Sequence, residues 1–395
     1  MVFIYYLIIF LIFILIFVLR KHKNFLVTIM LSAFTAYIVI NPNLCINAAI
    51  EGSALFFYKV FPSLLPFLIL SNLILSSGGV YIYSKVFGKF LCRPLKLPYE
   101  CSFVLIVSML SGYPLGAKYA CDIYRKGLID HDTCSRLLNI ASNPSPIFVI
   151  GVVGTSLLKN TLCGYMLLFS CYVSCFITGL ISNKKNICKT FYADKSSVKA
   201  DNNSVSAIKN SIDSAIQICL SIGGFVIFFY VINALVQSSD IYKVIIKSIS
   251  SFFNIDYHML SGSMLGMIEM TNGCSLICSS SANIMLKCSG AAFLLSFSGL
   301  SIISQVYSFT SKYDFSLKKY VKYKFLQGII CSIIMRILFS VPVLNNLFIK
   351  ETLSSCNSSA VSSAFNSSSV ISVFVFEIII FIILLLKTVI HKKYN

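Results

Sequence analysis

Two charged residues stand where an apolar chain tolerates them least. Lys118 ends Ser111-Gly112-Tyr113-Pro114-Leu115-Gly116-Ala117-Lys118, a glycine-proline break inside one apolar stretch, and Glu269 opens a second break, Glu269-Met270-Thr271-Asn272-Gly273, inside another. A lysine at membrane depth costs about 2.5–3.5 kcal/mol on insertion scales, so such a charge needs a partner or a task. Interrupted apolar segments at corresponding places in two halves of a chain mark solute sites near the bilayer midplane. For Lys118 the options are binding a solute or coupling ion, or pairing with Asp122 one turn on. For Glu269 they are meeting Lys118 in one shared site, binding a cation, exchanging a proton, or capping the half-helix that follows, whose free amides favour an anion.

Around these charges the sequence offers the rest of a polar site. Tyr113, Pro114 and Gly116 supply an aromatic face, a helix break and close backbone approach; Thr271, Asn272 and Gly273 do similar work at the second tip. Asn143 and Ser145, from Ser142-Asn143-Pro144-Ser145-Pro146, and Ser298 and Gln305 can add hydrogen bonds from neighbouring helices. Each polar residue taken alone also fits an ordinary interhelical contact. Lys59, Arg336 and Glu377 are further charges in or near apolar runs, with weaker claims on the same cavity.

Enzyme chemistry finds no constellation here. There is no glycine-rich phosphate loop, and His22, His131, His258 and His391 fall at span ends or in loops. The fifteen cysteines form no C-x-x-C pair and sit mostly inside apolar runs, where they read as small packing residues rather than metal ligands or disulfides. No cofactor is expected. The coupling ion stays open, with proton and sodium the two options.

The elements that must position these groups follow from composition. Of 395 residues, 57% are hydrophobic and only 12% charged, which puts the chain in a bilayer. The net charge of +18 comes from short basic tracts between apolar runs; such tracts orient helices, so nucleic acid is not an expected partner. At about 20 residues per crossing, spans are expected over 2–19, 25–41, 55–77, 140–158, 162–182, 209–236, 290–310, 321–341 and 370–390. The first has its charge after its apolar core, not before it, and reads as a retained helix rather than a cleaved signal. Between the spans, 101–126 and 258–287 have arms too short to cross and read as re-entrant helical hairpins.

The fold class expected is thus all-α and polytopic, with about nine crossings and two hairpins in inverted repeats. Each hairpin follows a crossing helix and a basic amphipathic segment, 81–90 in one half and 241–249 in the other, suited to the interface plane. The divisions are 1–48, two N-terminal helices; 49–182, the first gate repeat; 183–208, a basic linker; 209–310, the second gate repeat; and 311–395, C-terminal helices with a Ser/Asn-rich loop over 354–369. Three crossings separate the hairpins, so they enter from opposite faces. The same span count sorts 25 of the 32 basic residues, Lys118, Arg125, Lys126, Lys312 and Lys324 among them, to one face. The positive-inside rule makes that face cytosolic, with the N-terminus outside and the C-terminus inside.

At the two hairpins the chain resembles the YlbJ-type sporulation integral membrane proteins, whose two nucleoside-recognition gate regions are similar to those of concentrative nucleoside transporters. The resemblance covers residues 25–345. It is carried by Phe61-Pro62-Ser63-Leu64-Leu65-Pro66-Phe67, Ser111 to Lys118, Tyr124-Arg125-Lys126-Gly127-Leu128-Ile129, Asn143-Pro144-Ser145-Pro146 and Glu269 to Gly273. The family pattern has Asn-Ser-Gly-Pro where this chain has Asn143-Pro144-Ser145-Pro146. What the resemblance implies is a bacterial transporter in the outer forespore membrane that moves dipicolinic acid out of the mother cell. Its partners would be that anionic solute, the lipid bilayer and, as a further option, a second copy of itself. A nucleoside or other small-metabolite carrier of the same fold, and a non-transporting spore-envelope assembly factor, are the alternatives.

Overall fold

The structure is a computed structural model that describes residues 25–182 and 204–341. The expected crossings 2–19 and 370–390, the 354–369 loop, Glu377 and most of the linker lie outside the described residues. Every described regular element is helical.

Helix α1 (Phe25–Ile40) and α2 (Pro42–Leu55) meet at a bend of 103°. Pro42 sets the corner, because it disfavours helix at Asn41 and starts α2 at the one place a missing N–H costs nothing. A π-helical turn, Phe56–Val60, then carries the chain into α3 (Phe61–Ser76). The helical run that holds the expected crossing 55–77 therefore starts further back, at Pro42. After α3 the chain turns by 98° through Gly78, in the left-handed region at φ 74°, into α4 (Gly79–Leu95). Helix α4 buries Val80, Ser84, Gly88 and Cys92 on a four-residue stripe and leaves Tyr81, Ile82, Val86 and Phe87 exposed.

The first hairpin is α5 (Cys101–Ser111) and α6 (Leu115–Arg125), and short α7 (His131–Leu138) follows it. The expected crossing 140–158 is only partly helical: 139–145 are irregular, and the helix present, Ile147–Leu157, is a π-helix. Pro144 and Pro146 account for this, since neither can donate a helical hydrogen bond. Helix α8 (Thr161–Ile181) starts from a capping bond, Cys163 N to Asn160 Oδ1 at 2.8 Å.

Helix α9 (Ser204–Ser238) and amphipathic α10 (Asp240–Phe253) precede the second hairpin, α11 (Tyr257–Gly266) and α12 (Met270–Ser279). Helices α13 (Ile284–Phe297) and α14 (Gly299–Thr310) form one 27-residue apolar span broken at Ser298–Gly299, and α15 (Leu317–Phe339) ends the described chain. The next helix thus starts at Ile284, inside the 258–287 expected for the hairpin. At 1.5 Å per residue the α13–α14 span is about 40 Å long, more than a hydrocarbon core needs. Three described helices are long and apolar enough to cross a membrane, or up to five if each bent pair is one span. The core lies among the hairpin arms, α8, α13 and α15, and the described cysteines are free thiols, all buried except the half-buried Cys175 and Cys278.

Candidate functional site

Each hairpin tip is bonded to the helix break that follows it in sequence. At the first tip, Tyr113 N donates to Asn143 O at 2.7 Å; at the second, Leu300 N donates to Met267 O at 2.8 Å and Ser301 N to Ile268 O at 3.0 Å. Gly112 lies at φ +86°, and a Cβ there would meet Ser145 N at 2.7 Å, so only glycine turns this tip. Four residues on, a Cβ on Gly116 would run into Ala141 O and come within 2.7 Å of Ser108 Cβ. The backbone of tip and break touch, and no side chain fits between them.

The two tips also meet each other. Tyr113 donates its hydroxyl to Met270 Sδ, and between the tips lies a cavity of about 90 Å³. Its polar lining is Ser111, Tyr113, Ser145, Glu269, Thr271, Ser301 and Gln305; its apolar lining includes Leu64, Ile222, Val226 and Ile302. Glu269, 5% exposed, accepts Thr271 N on Oε1 at 3.0 Å and Asn272 N on Oε2 at 2.8 Å. Its carboxylate caps the half-helix α12 while facing the cavity. Gln305, 1% exposed, donates Nε2 to Ser301 Oγ at 3.3 Å, and its buried Oε1 has no hydrogen-bond partner among the described residues. A buried carbonyl oxygen left unpaired costs about 1–3 kcal/mol, so it is poised for a donor on whatever enters.

Lys118 does not line this cavity, so of the options open to Glu269 a site shared with Lys118 is not the arrangement seen. Its Nζ donates to Asn72 Oδ1 at 2.6 Å and pairs with Asp122 Oδ2 at 3.0 Å, the i,i+4 partner the sequence offered as the plainer option. It lines a larger cavity of about 670 Å³ with Asn72, Asp122, Arg125, Lys126, Ser211, Gln217 and Lys312. The reason is helical geometry: Lys118 begins the second turn of α6 and points back towards α3, away from the tip.

The two cavities are stacked along the same three helices. The large one is walled by 72–76 of α3, 210–218 of α9 and 308–309 of α14; the small one by Leu64 of α3, 222 and 226 of α9 and 301–305 of α14. The large cavity is thus a vestibule, with the tip cavity deeper on the same axis. The α13–α14 span fixes the directions. It starts beside the mouth of the second hairpin, breaks at the level of the tips and ends beside Lys312 at the mouth of the first. At the second mouth, outside the spanning segments, Asp256 accepts Met259 N at 2.9 Å and Ser281 N at 3.2 Å, with the Ser281 hydroxyl as a third donor. Burial pushes the Asp256 carboxyl up, but these hydrogen bonds together outweigh it and hold it below the ordinary carboxylate value.

Other expected site residues sit elsewhere. Asn143 turns away from the tip cavity: its Nδ2 donates to Ile140 O at 2.9 Å and its Oδ1 accepts Gln327 Nε2 at 3.1 Å. Gly273 packs backbone to backbone on Gly266, joining the arms of the second hairpin; Ser298 is buried at its break; Pro114, Gly116 and Asn272 do not line the cavity. The sequence reading missed Ser111, Ser301 and a buried group on α15. There Lys324, fully buried, donates to Ser142 O at 2.6 Å and Gln327 Oε1 at 2.9 Å, and Tyr320 donates to Ser142 Oγ at 2.9 Å. A signal existed: Tyr320, Lys324, Gln327, Cys331 and Met335 recur every three or four residues, the buried stripe of α15, whereas Lys318, Lys319 and Lys322 fall off it.

The chain aligns over 344 residues, at 27% identity, with the sporulation integral membrane protein YlbJ of Bacillus subtilis (strain 168), covering 81% of this chain and 84% of that one. The chain is a homologue of YlbJ. With its long apolar helices it is, like YlbJ, an integral membrane protein. No family model and no solved structure matches it.

Proposed function

We propose that this chain is a sporulation carrier that takes a small anionic solute, dipicolinate, from the mother cell across the outer forespore membrane. The observation that carries the reading is the basic vestibule ending on two paired hairpin tips. Lys118, Arg125, Lys126 and Lys312 face one space in which Asp122 is the one carboxylate among the described residues, and a volume of about 670 Å³ suits a small-molecule site. An aromatic dianion would be drawn there by the field of these cations. The tip cavity, at about 90 Å³, is too small for it, so the tips must part for the solute to pass.

Such parting is alternating access, with each hairpin and its helix break moving as one gate. The α13–α14 span, running from one hairpin mouth to the other, supports hairpins of opposite entry and hence inverted repeats like those of concentrative nucleoside transporters. The same proposal includes nine crossings, an outside N-terminus, a cytosolic C-terminus and a vestibule open to the cytosol. The tip cavity, with a carboxylate, an amide and hydroxyls but no lysine, equally suits a neutral polar solute such as a nucleoside. Uptake by proteoliposomes of labelled dipicolinate and labelled nucleosides separates the two: saturable nucleoside uptake without dipicolinate uptake overturns the proposal. Normal spore dipicolinate in a strain lacking the protein would overturn dipicolinate transport and leave the nucleoside carrier and the envelope-assembly role.

A further inference from the structure

By its place in the sequence Lys324 belongs with the basic residues at the start of α15, Lys318, Lys319 and Lys322, yet its side chain has no exposed surface. Its ammonium is held entirely by neutral oxygens, Ser142 O at 2.6 Å and Gln327 Oε1 at 2.9 Å. No salt bridge joins it to a carboxylate among the described residues. Ser142 belongs to the irregular stretch 139–145, and its carbonyl is free of helical bonding because Pro146, four residues on, has no N–H to donate. The next carbonyl, Asn143 O, holds the first hairpin tip through Tyr113 N. Gln327 completes the arrangement by donating to Asn143 Oδ1 at 3.1 Å.

Carriers built on broken helices hold their coupling cation on the unwound carbonyls beside the break. Here a covalently attached cation already sits on such a carbonyl. We propose that the Lys324 ammonium is a tethered substitute for a bound metal cation at the first break, so that the first gate closes without sodium and solute movement draws nothing from a sodium gradient. The tether explains the energetics. A free ion must be captured from solution, whereas Lys324 is present at a high effective concentration, and its charge-assisted hydrogen bonds offset part of the burial cost. In the second half no lysine among the described residues bonds the corresponding break at Ser298–Gly299, where two backbone bonds rather than one join hairpin and break. The inference rests on the carrier reading but not on which solute is carried.

The test is thermal melting of the full-length protein in detergent, in sodium chloride against N-methylglucamine chloride at equal ionic strength. The wild type is expected to melt at the same temperature in both; a rise of several degrees in sodium overturns the proposal. Lys324→Ala is expected to melt several degrees lower and to recover part of that loss in ethylammonium or sodium, which can occupy the vacated space; no response to either cation overturns it. Lys324→Met fills the space without charge, and melting like the wild type would show that the ammonium is not needed. No solute enters these measurements, so a failed dipicolinate assay leaves their result standing. In the companion flux assay, with whichever solute is carried, replacing external sodium should leave the initial rate unchanged, and dependence on sodium refutes the assignment.

Discussion

Asp122→Asn tests whether Lys118 is an anchored charge rather than a free one waiting for solute. At 3.0 Å and an effective dielectric of about 20, the gross attraction of Lys118 and Asp122 is about 5 kcal/mol, most of it cancelled by desolvation. Breaking a well-buried pair costs about 3–5 kcal/mol. Two features lower that figure here: the vestibule lets water reach side chains that are 10% and 16% exposed, and Asn72 still accepts from Lys118. Asp122→Asn and Lys118→Met should therefore each cost about 1–3 kcal/mol, and the double variant should cost less than their sum by about 1–2 kcal/mol. Unfolding free energies in mixed micelles for all four proteins close the cycle. Additive costs would refute the pair as an anchored unit. A second readout comes from uptake: Asp122→Asn makes the vestibule more positive, so the KM for an anionic solute should fall while stability also falls. A KM that rises would mean that the vestibule does not attract its solute by charge.

Gly116→Ala should destabilise by about 1–3 kcal/mol, because the added methyl overlaps Ala141 O, whereas Gly224→Ala, with nothing within 4 Å and a helical setting, should be neutral or stabilising by about 0.5–1 kcal/mol; melting of both variants checks the contrast. Asp256 has a lower pKa folded than unfolded, so its contribution is present above the unfolded value of about 3.8 and is lost as pH falls through the folded value. Hydrogen exchange in α11 and α12 should accordingly rise on acidification below pH 3.8, and Asp256→Asn should remove that step; an unchanged step in the variant would assign it to another group. Gln305→Leu removes a buried acceptor without a partner among the described residues and should leave the melting temperature unchanged or raised, yet slow uptake at least about tenfold if its oxygen receives the solute. Uptake as fast as in the wild type would make Gln305 a lining residue only.

Features that depend on near neighbours are legible in the amino-acid sequence. The apolar runs require helices in a bilayer, because backbone groups there must be satisfied within the segment. Gly112 and Pro114 end α5 by steric rules acting over three residues, and Glu269 caps α12 through amides two and three residues ahead. The Lys118–Asp122 pair, one helical turn apart, is of the same kind. Local rules could not say which cavity each side chain enters. Lys118 and Glu269 fall in different cavities because they lie at different levels along α3, α9 and α14, the helices that wall both spaces. Asn143 faces Gln327, and Lys324 reaches Ser142, across 184 and 182 residues of sequence. Such pairings are fixed only when whole helices dock, since the energy of a buried polar group depends on the oxygen or nitrogen that packing brings to it. That is why a lysine two residues from solvated Lys322 became the most completely buried charge among the described residues.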